Sequence, residues 1–330
     1  MTQSNVNWPR FVEIIRASRR IVLTSHVRPD CDALGSELGM AGILESLGKQ
    51  VLICNPQETP PNLAFIDPDR RIRIVGKGVQ PAELADFDLL MVLDTSAWAQ
   101  LGAMGDVIRS LAIKKIVLDH HVGADDLGAE EFKNTTAEAT GRLVVEAARA
   151  LGAKLSPAVA RALFAALTTD TGWMRFSSTT AETFRIAAEL VDSGAVPAEI
   201  YNALYEQETL ARVRLRGRIL ERAATELDGR LIHTACLLED FDATGALPSD
   251  TEDVINATLT VRGTEVAVIL VEHNNGGFKI SFRSRSAVDC SQLAAQFGGG
   301  GHKAAAGAMV TGTFADARRR VLDAVFAAMR

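Results

Sequence analysis

The chain has 330 residues, 47% of them hydrophobic, enough for about two domains with real cores. Thirty-five basic against 41 acidic residues give a formal net charge of −6, which excludes a protein that coats nucleic acid through a basic surface but leaves room for a short anionic ligand. The first 20 residues lack the apolar segment of a signal peptide, no stretch reaches about 18 uncharged apolar residues, and Cys31, Cys54, Cys236 and Cys290 form no CxxC pair, so a cytoplasmic protein with free thiols is expected, neither secreted nor membrane-spanning.

In chain order, the first half alternates apolar runs with helical stretches: Arg20-IVLTS, a helix from about Ala33 to Leu47 stopped by Gly48, then QVLIC, DLLMVLDT and KKIVLDH. The runs are uniformly apolar rather than alternating, as in strands of a parallel α/β sheet covered on both faces. Three helical stretches follow between Thr136 and Gly194, with Gly152 and Gly194 where helices would end. Residues 197–225 read as one long charged helix connecting two domains. Beyond it RLIHTACLL, TEVAVILVEHN and GFKISFRSR read as strands, the last two joined by a turn at Asn274-NGG, with helices at about Thr251 to Thr260, Cys290 to Gln296 and Phe314 to Met329. The expected architecture is a parallel-sheet α/β domain over residues 1–195, a helical connector over 196–226 and a smaller α+β domain over 227–330.

Several apolar runs end in residues that bind metals. Ser25-HVRPDCDALGS places His26, Asp30 and Asp32 in a strand-to-helix loop, Asp94 closes LLMVLDTS, and Asp119, His120 and His121 close the next run. Open parallel sheets bind ligands at the carboxyl ends of their strands. Oxygen and imidazole donors suit Mn²⁺, Mg²⁺ or Fe, and two aspartates one residue apart repel each other unless a cation lies between them. Asp32, Asp94 and Asp170 each also read as a helix cap. So many acidic and imidazole groups converging on one sheet edge are not all caps, and a metal site is expected.

The segments SHVRPDCDALGS, VLDTS, LDHH and TDTG resemble, in that order and at family-like intervals, the four motifs of the DHH phosphoesterase superfamily. Gly298-GGGHKAAAG, preceded by Phe282-RSR, is similar to the DHH-associated domain of its RecJ and NrnA branch, and TDTGWMRFSSTTAETF looks most like the NrnA-like nanoRNases and pAp phosphatases. The resemblance spans essentially the whole chain. It implies a DHH catalytic domain in which His26, Asp30 and Asp94 hold one Mn²⁺ and Asp32, Asp94, His120 and Asp170 a second, with Mg²⁺ or Co²⁺ as substitutes. Such a pair of cations clamps a phosphoryl group and activates water. His121 is then free to meet the scissile phosphate, and Asp119 orients an imidazole. Arg283, Ser284, Arg285, Gly300, Gly301 and His302 would hold a terminal phosphate and nucleotide, giving a cleft between the domains that reaches a few nucleotides. Cys31 stands where the family usually has glycine, which bears on loop stiffness or redox sensitivity.

The implied reaction is hydrolysis of short 5′-phosphorylated oligoribonucleotides to mononucleotides and of pAp to AMP. The nearest alternative is a phosphodiesterase for c-di-AMP or its linear product, and a non-catalytic nucleotide sensor would need a broken ligand set. Long duplex nucleic acid and membranes are not expected as partners, and a homodimer is compatible with the family. The arginine run from Arg212 to Arg222 reads first as a solvated helix face, Trp8, Trp98 and Trp173 as base-stacking candidates, and His233 and His273 as structural.

Overall fold

The computed structural model describes residues 6–330 apart from 124 and 275. It divides into two compact units that meet at Gln207 and Glu208. No helix among the described residues is long and apolar enough to cross a membrane, and all four cysteines are buried and free.

The first unit opens with α1 (Trp8–Ala17), β1 (Arg20–Thr24), α2 (Cys31–Ser46), β2 (Gln50–Asn55), β3 (Ile72–Ile74), β4 (Leu89–Leu93), α3 (Gly102–Ser110), β5 (Lys114–Asp119) and β6 (Glu130–Lys133). The six strands are parallel, in the order β3-β2-β1-β4-β5-β6. Four helices follow: α4 (Thr140–Leu151), α5 (Pro157–Asp170), α6 (Ala181–Asp192) and α7 (Pro197–Tyr205). Side chains alternate across the sheet, so Ile21, Leu23, Met91, Ile116 and Leu118 enter one core with α1, α2, α4 and α5, while Val22, Leu90, Val92 and Val117 enter the other with α3. Burial on both faces explains why the strands read as unbroken apolar runs. The strand order reverses between β1 and β4, which puts a crevice beyond their carboxyl ends.

Helices α2 and α5 run antiparallel and touch almost backbone to backbone. A Cβ on Gly35 would collide with the carbonyl oxygen of Ala162 and lie 2.9 Å from the Ala166 Cβ, and Gly39 and Gly42 face Leu163 and Val159 in the same way. This approach carries Asp170, the last residue of α5, to the level of the first turn of α2.

The second unit contains α8 (Leu210–Glu221), β7 (Ala224–Glu226), β8 (Leu231–Cys236), α9 (Leu238–Thr244), α10 (Val254–Thr258), β9 (Val266–Glu272), β10 (Phe278–Ser284), α11 (Cys290–Ala295), β11 (Gly300–Gly301), β12 (Ala305–Val310) and α12 (Phe314–Ala328). Its mixed sheet runs β11-β12-β10-β9-β8-β7, with only β8 and β9 parallel. α11 and α12 cover Phe278, Ile280 and Phe282 on one face, and α8 and α10 cover Ala267, Ile269 and Val271 on the other.

Two expectations need correction. Residues 197–225 are not one helix: α7 ends at Tyr205, and Thr209 caps α8 by accepting from the Arg212 N–H at 3.1 Å. Leu215 and Ile219 of α8 lie in the second unit's core, so this helix is part of that unit rather than a free connector. The helix expected over 251–260 is only the short α10, preceded by a 3₁₀ turn at Pro248–Thr251. The arginines of α8 are largely occupied within the unit, since Arg212 and Arg216 pair with Glu208, and Arg218 and Arg222 both bind the buried Asp240.

Gly35→Ala should lower stability by about 1–3 kcal/mol, because overpacking forces α2 and α5 apart. Gly217→Ala in α8, where a Cβ meets nothing within 4 Å, should raise it by up to about 1 kcal/mol. Denaturant unfolding of both variants reads the contrast, and equal effects would contradict the packing argument.

Candidate metal centre

Each polar group at the crevice is aimed by backbone beyond the strand ends. The His26 Nδ1 lies 2.9 Å from the Val27 carbonyl, so that nitrogen carries the proton and Nε2 is left facing Asp94 Oδ2 at 3.4 Å and Asp30 Oδ1 at 4.0 Å. Asp30, not Asp32, is the cap of α2: its Oδ1 accepts from the Ala33 N–H at 3.0 Å. Asp32 lies within the helix, 1% exposed, and accepts from the N–H groups of Thr140 and Gly141 at 2.7 and 2.8 Å. It thereby serves the first turn of α4, where unpaired N–H groups and the helix dipole favour a negative charge.

Asp94 leaves β4 in the left-handed region, φ 63°, and caps no helix. The Thr140 hydroxyl donates to its Oδ1 at 2.9 Å. Asp170 is the last residue of α5 and reaches the crevice from a helix end rather than a strand end, which corrects its reading as an N-cap. His120 ties these groups together. Its Nδ1 lies 3.2 Å from the Ala137 carbonyl, and its Nε2, buried and without a hydrogen-bond partner among the described residues, lies 3.4 Å from Asp170 Oδ2, 3.5 Å from Asp94 Oδ1 and 3.8 Å from Asp32 Oδ2. His26, Asp30 and Asp94, and likewise Asp32, His120 and Asp170, form sets whose ligand atoms fall within 4.8 Å of one another.

Burial, and after it the neighbouring carboxylates, raise Asp32 and Asp94 well above the usual aspartate range. The same two causes, burial and Asp30, lift Asp170 to about 6. His120 is lowered, first by burial and then by His121, so it presents a neutral imidazole. Crowded buried carboxylates around an orphaned imidazole nitrogen are what a hard divalent cation relieves, and the donor set of oxygens and nitrogens fits one.

His121 shares a third such set with Asp94 and His120, its Nδ1 3.9 Å from Asp94 Oδ1. Its Nδ1 lies 2.8 Å from Asp119 Oδ1, with the backbone N–H donating to the same oxygen at 3.1 Å, so that nitrogen is committed. The Asp119 hydrogen bond raises His121; burial pushes Asp119 up, but the bonds from His121 and Ser96 outweigh it and hold the carboxyl down at about 2. Ser96 donates to Asp119 Oδ2 at 2.8 Å, and Lys133 Nζ lies 3.2 Å from the same atom. Thr140, Gly141, Ser96 and Lys133 escaped the sequence reading; only the Thr140-GRLVV helix start, opening a turn with free N–H groups, offered a signal.

Cys31 is buried and its thiol is pushed up to about 12, first by burial, which removes the thiolate that oxidation needs. Packing accounts for the tryptophans: Trp8 meets Phe11, the Arg109 guanidinium covers Trp98, and Trp173 packs edge-on against Phe164, Tyr201 and Tyr205.

In the second unit, Gly300 and Gly301 form β11, an edge strand on β12. A Cβ on Gly301 would lie 2.6 Å from the Ala305 carbonyl oxygen, so glycine is required for this pairing, whereas Gly300 faces open space. Gly300, Gly307 and Ser281 stand in one row across the sheet, and Arg283, opposite Ala305, lies on the same face two residues along. The Arg283 guanidinium donates to the Phe282 carbonyl at 3.0 Å, Arg285 donates to the Leu259 carbonyl at 2.9 Å, and the Ser284 hydroxyl lies 3.2 Å from that of Ser286. The His302 N–H is bound to the Ala305 carbonyl at 2.8 Å.

Residues 20–167 match the family model for the DHH family, N-terminal domain, and residues 233–330 that for the DHHA1 domain. The bifunctional oligoribonuclease and PAP phosphatase NrnA of Thermus thermophilus is 33% identical over 310 residues, covering 92% of this chain and 89% of that protein. The cyclic-di-AMP phosphodiesterase GdpP of Geobacillus thermodenitrificans is 25% identical over 95% of this chain but only 48% of its own length. Among solved structures, an exopolyphosphatase-related protein from Bacteroides fragilis superposes with a TM-score of 0.83 at 27% identity, covering 96% and 94% of the two chains. The exonuclease RecJ bound to manganese shares the fold, with a TM-score of 0.52 at 16% identity over 98% and 94%. With both domains matched in order and a relative this similar along nearly its whole length, the chain belongs to the DHH family, in the group of the bifunctional oligoribonucleases and PAP phosphatases.

Proposed function

We propose that the protein is a Mn²⁺-dependent phosphoesterase that cuts short 5′-phosphorylated oligoribonucleotides to mononucleotides and converts pAp to AMP. The observation that carries this reading is the orphaned Nε2 of His120 among the carboxylates of Asp32, Asp94 and Asp170, in a chain of this family. The first unit carries the chemistry and the second recognises phosphate. A cytoplasmic location follows from the substrate class.

His26, Asp30 and Asp94 would hold one ion, and Asp32, Asp94, His120 and Asp170 a second, with Asp94 shared. When bound, the ions supply positive charge for the phosphoryl oxygens and acidity to water. Thr140 keeps Asp94 in place through its hydroxyl, and the N–H groups of the first turn of α4 hold the Asp32 carboxylate in position and offset part of its burial. His121, whose affinity for a proton is raised by its bond to Asp119, would offer that proton from Nε2 to the leaving oxygen. Arg283, Ser284, Arg285, Gly300, Gly301 and His302 would take the terminal phosphate, the guanidiniums by charge-assisted hydrogen bonds. Arg285 releases the Leu259 carbonyl to do so.

With Mn²⁺ present, pApA, pAp, c-di-AMP and pyrophosphate offered in parallel should give fastest turnover on pApA, with Asp94→Ala at least about a hundredfold slower. Arg285→Ala should raise KM for pApA about 10–100-fold, the loss of a hydrogen bond to a charged group. Preference for c-di-AMP would retain the chemistry and overturn the substrate, and an unchanged KM would overturn the role of Arg285.

The raised carboxylates also fix a pH dependence. An acid whose folded pKa exceeds its unfolded value stabilises the fold fully below the unfolded pKa and loses that contribution as pH rises through the folded one. For Asp170, at about 6 in the fold, the window runs from about pH 4 to about pH 6. The melting temperature of metal-free protein should therefore drop across this interval, while the gain on adding Mn²⁺ grows. A gain independent of pH would contradict the carboxylate ligand set.

A further inference from the structure

A second buried polar group lies in the first unit, away from the ligand atoms. Glu37, in the second turn of α2, has no exposed surface, and its Oε1 has no hydrogen-bond partner among the described residues. Its Oε2 accepts from the Asn55 Nδ2 at 2.8 Å. Asn55, equally buried, closes β2, and its Oδ1 accepts from the Ser25 N–H at 3.1 Å. The Ser25 hydroxyl donates to the Leu93 carbonyl at 2.9 Å. One residue beyond Ser25 is His26, and one residue beyond Leu93 is Asp94.

The position of this chain of hydrogen bonds is telling. The β1–β2 ladder ends at Leu23 opposite Ile53, and the β1–β4 ladder at Thr24 opposite Val92. The Asn55 carbonyl is taken by the Val75 N–H of the neighbouring segment, so the Ser25 N–H is met by a side chain instead. Past the last ladder bonds, therefore, Glu37, Asn55 and Ser25 form a chain of hydrogen bonds that ties α2 to the ends of β2, β1 and β4. A leucine would fill the Glu37 site without the desolvation penalty of a carboxyl. Burial pushes Glu37 up to about 8, so it adds no further negative charge to the crowded acidic groups at neutral pH.

We propose that Glu37 and Asn55 are positioning residues for the metal centre: through Ser25 they fix His26 and Asp94 against α2, the helix that carries Asp32 and is capped by Asp30. The inference rests on the metal-centre reading above. The carboxyl acts by shape and hydrogen bonding rather than by charge, so a neutral isostere serves and an apolar one does not.

Calorimetric titration of metal-free protein with Mn²⁺ tests this, with melting temperatures recorded on the same samples. Glu37→Leu and Asn55→Leu should weaken Mn²⁺ binding about 10–100-fold, as is typical when a group supporting a ligand is removed. Glu37→Gln should restore wild-type affinity to within about threefold, because its amide oxygen still accepts from Asn55. Leu44→Ala, a cavity in the same helix that leaves the network intact, should lower the melting temperature without moving Mn²⁺ affinity. Should Asn55→Leu fail to fold, Ser25→Ala removes only the link to Leu93 and should still weaken binding. Wild-type affinity in the variants, or an affinity that follows melting temperature in Leu44→Ala as well, overturns the inference alone. Wild-type protein that binds no Mn²⁺ overturns the metal-centre reading and this inference with it.

Discussion

Like charges set the terms for this structure. Asp32 and Asp94 are all but sealed from solvent, and Asp170 and Asp30 stand at the rim of the same crevice, all within reach of His26 or His120. Two like charges 4 Å apart oppose each other by about 4 kcal/mol at the effective dielectric typical near a protein surface. Such a group stays ionised only with compensation, and the surrounding fold is arranged to supply part of it. The first turn of α4 offers two N–H groups to Asp32, and the Thr140 hydroxyl offers a third donor to Asp94. What remains uncompensated points at a common centre, where His120 presents a nitrogen without a hydrogen-bond partner among the described residues.

The architecture makes that crowding attainable. A parallel sheet delivers the residues after β1, β4 and β5 to one edge, and the reversal of strand order between β1 and β4 opens the crevice there. Asp170 arrives by a different route, through the glycine-lined contact of α2 with α5. Asp119 stands one step back and puts its charge to another use, holding the His121 ring and raising its affinity for a proton. The same crevice thus contains in His120 an imidazole shifted toward its neutral form and in His121 one shifted toward its protonated form. Their opposite shifts follow from burial in the first case and from the Asp119 hydrogen bond in the second.

Much of this is legible in the sequence because it is local. The uniformly apolar runs at Ile21, Leu89 and Ile116, each followed at once by acids or histidines, signal a doubly covered sheet with a loaded edge. What the sequence conceals depends on distant partners. Asp30 and Asp32 look alike as caps, and only Thr140, 108 residues beyond Asp32, separates their roles. The helix break between Tyr205 and Leu210 contains no glycine or proline, so the charged stretch reads as continuous. β12, Ala305–Val310, is poor in β-branched residues and is a strand because β10 and β11 pair on either side of it. The glycine run before it, which suggests a loop around an anion, is partly explained by that pairing, which crowds Gly299 and Gly301, while Gly298 and Gly300 face open space.

The central claim is that the buried carboxylates exist to be bridged by cations about Asp94. Anomalous diffraction from crystals soaked in Mn²⁺ tests it most directly. Two peaks about 3.5–4 Å apart on either side of the Asp94 carboxylate are predicted, one beside His26 and one beside His120, both weakened in Asp94→Asn. A single peak away from Asp94, or none at saturating Mn²⁺, would contradict the account.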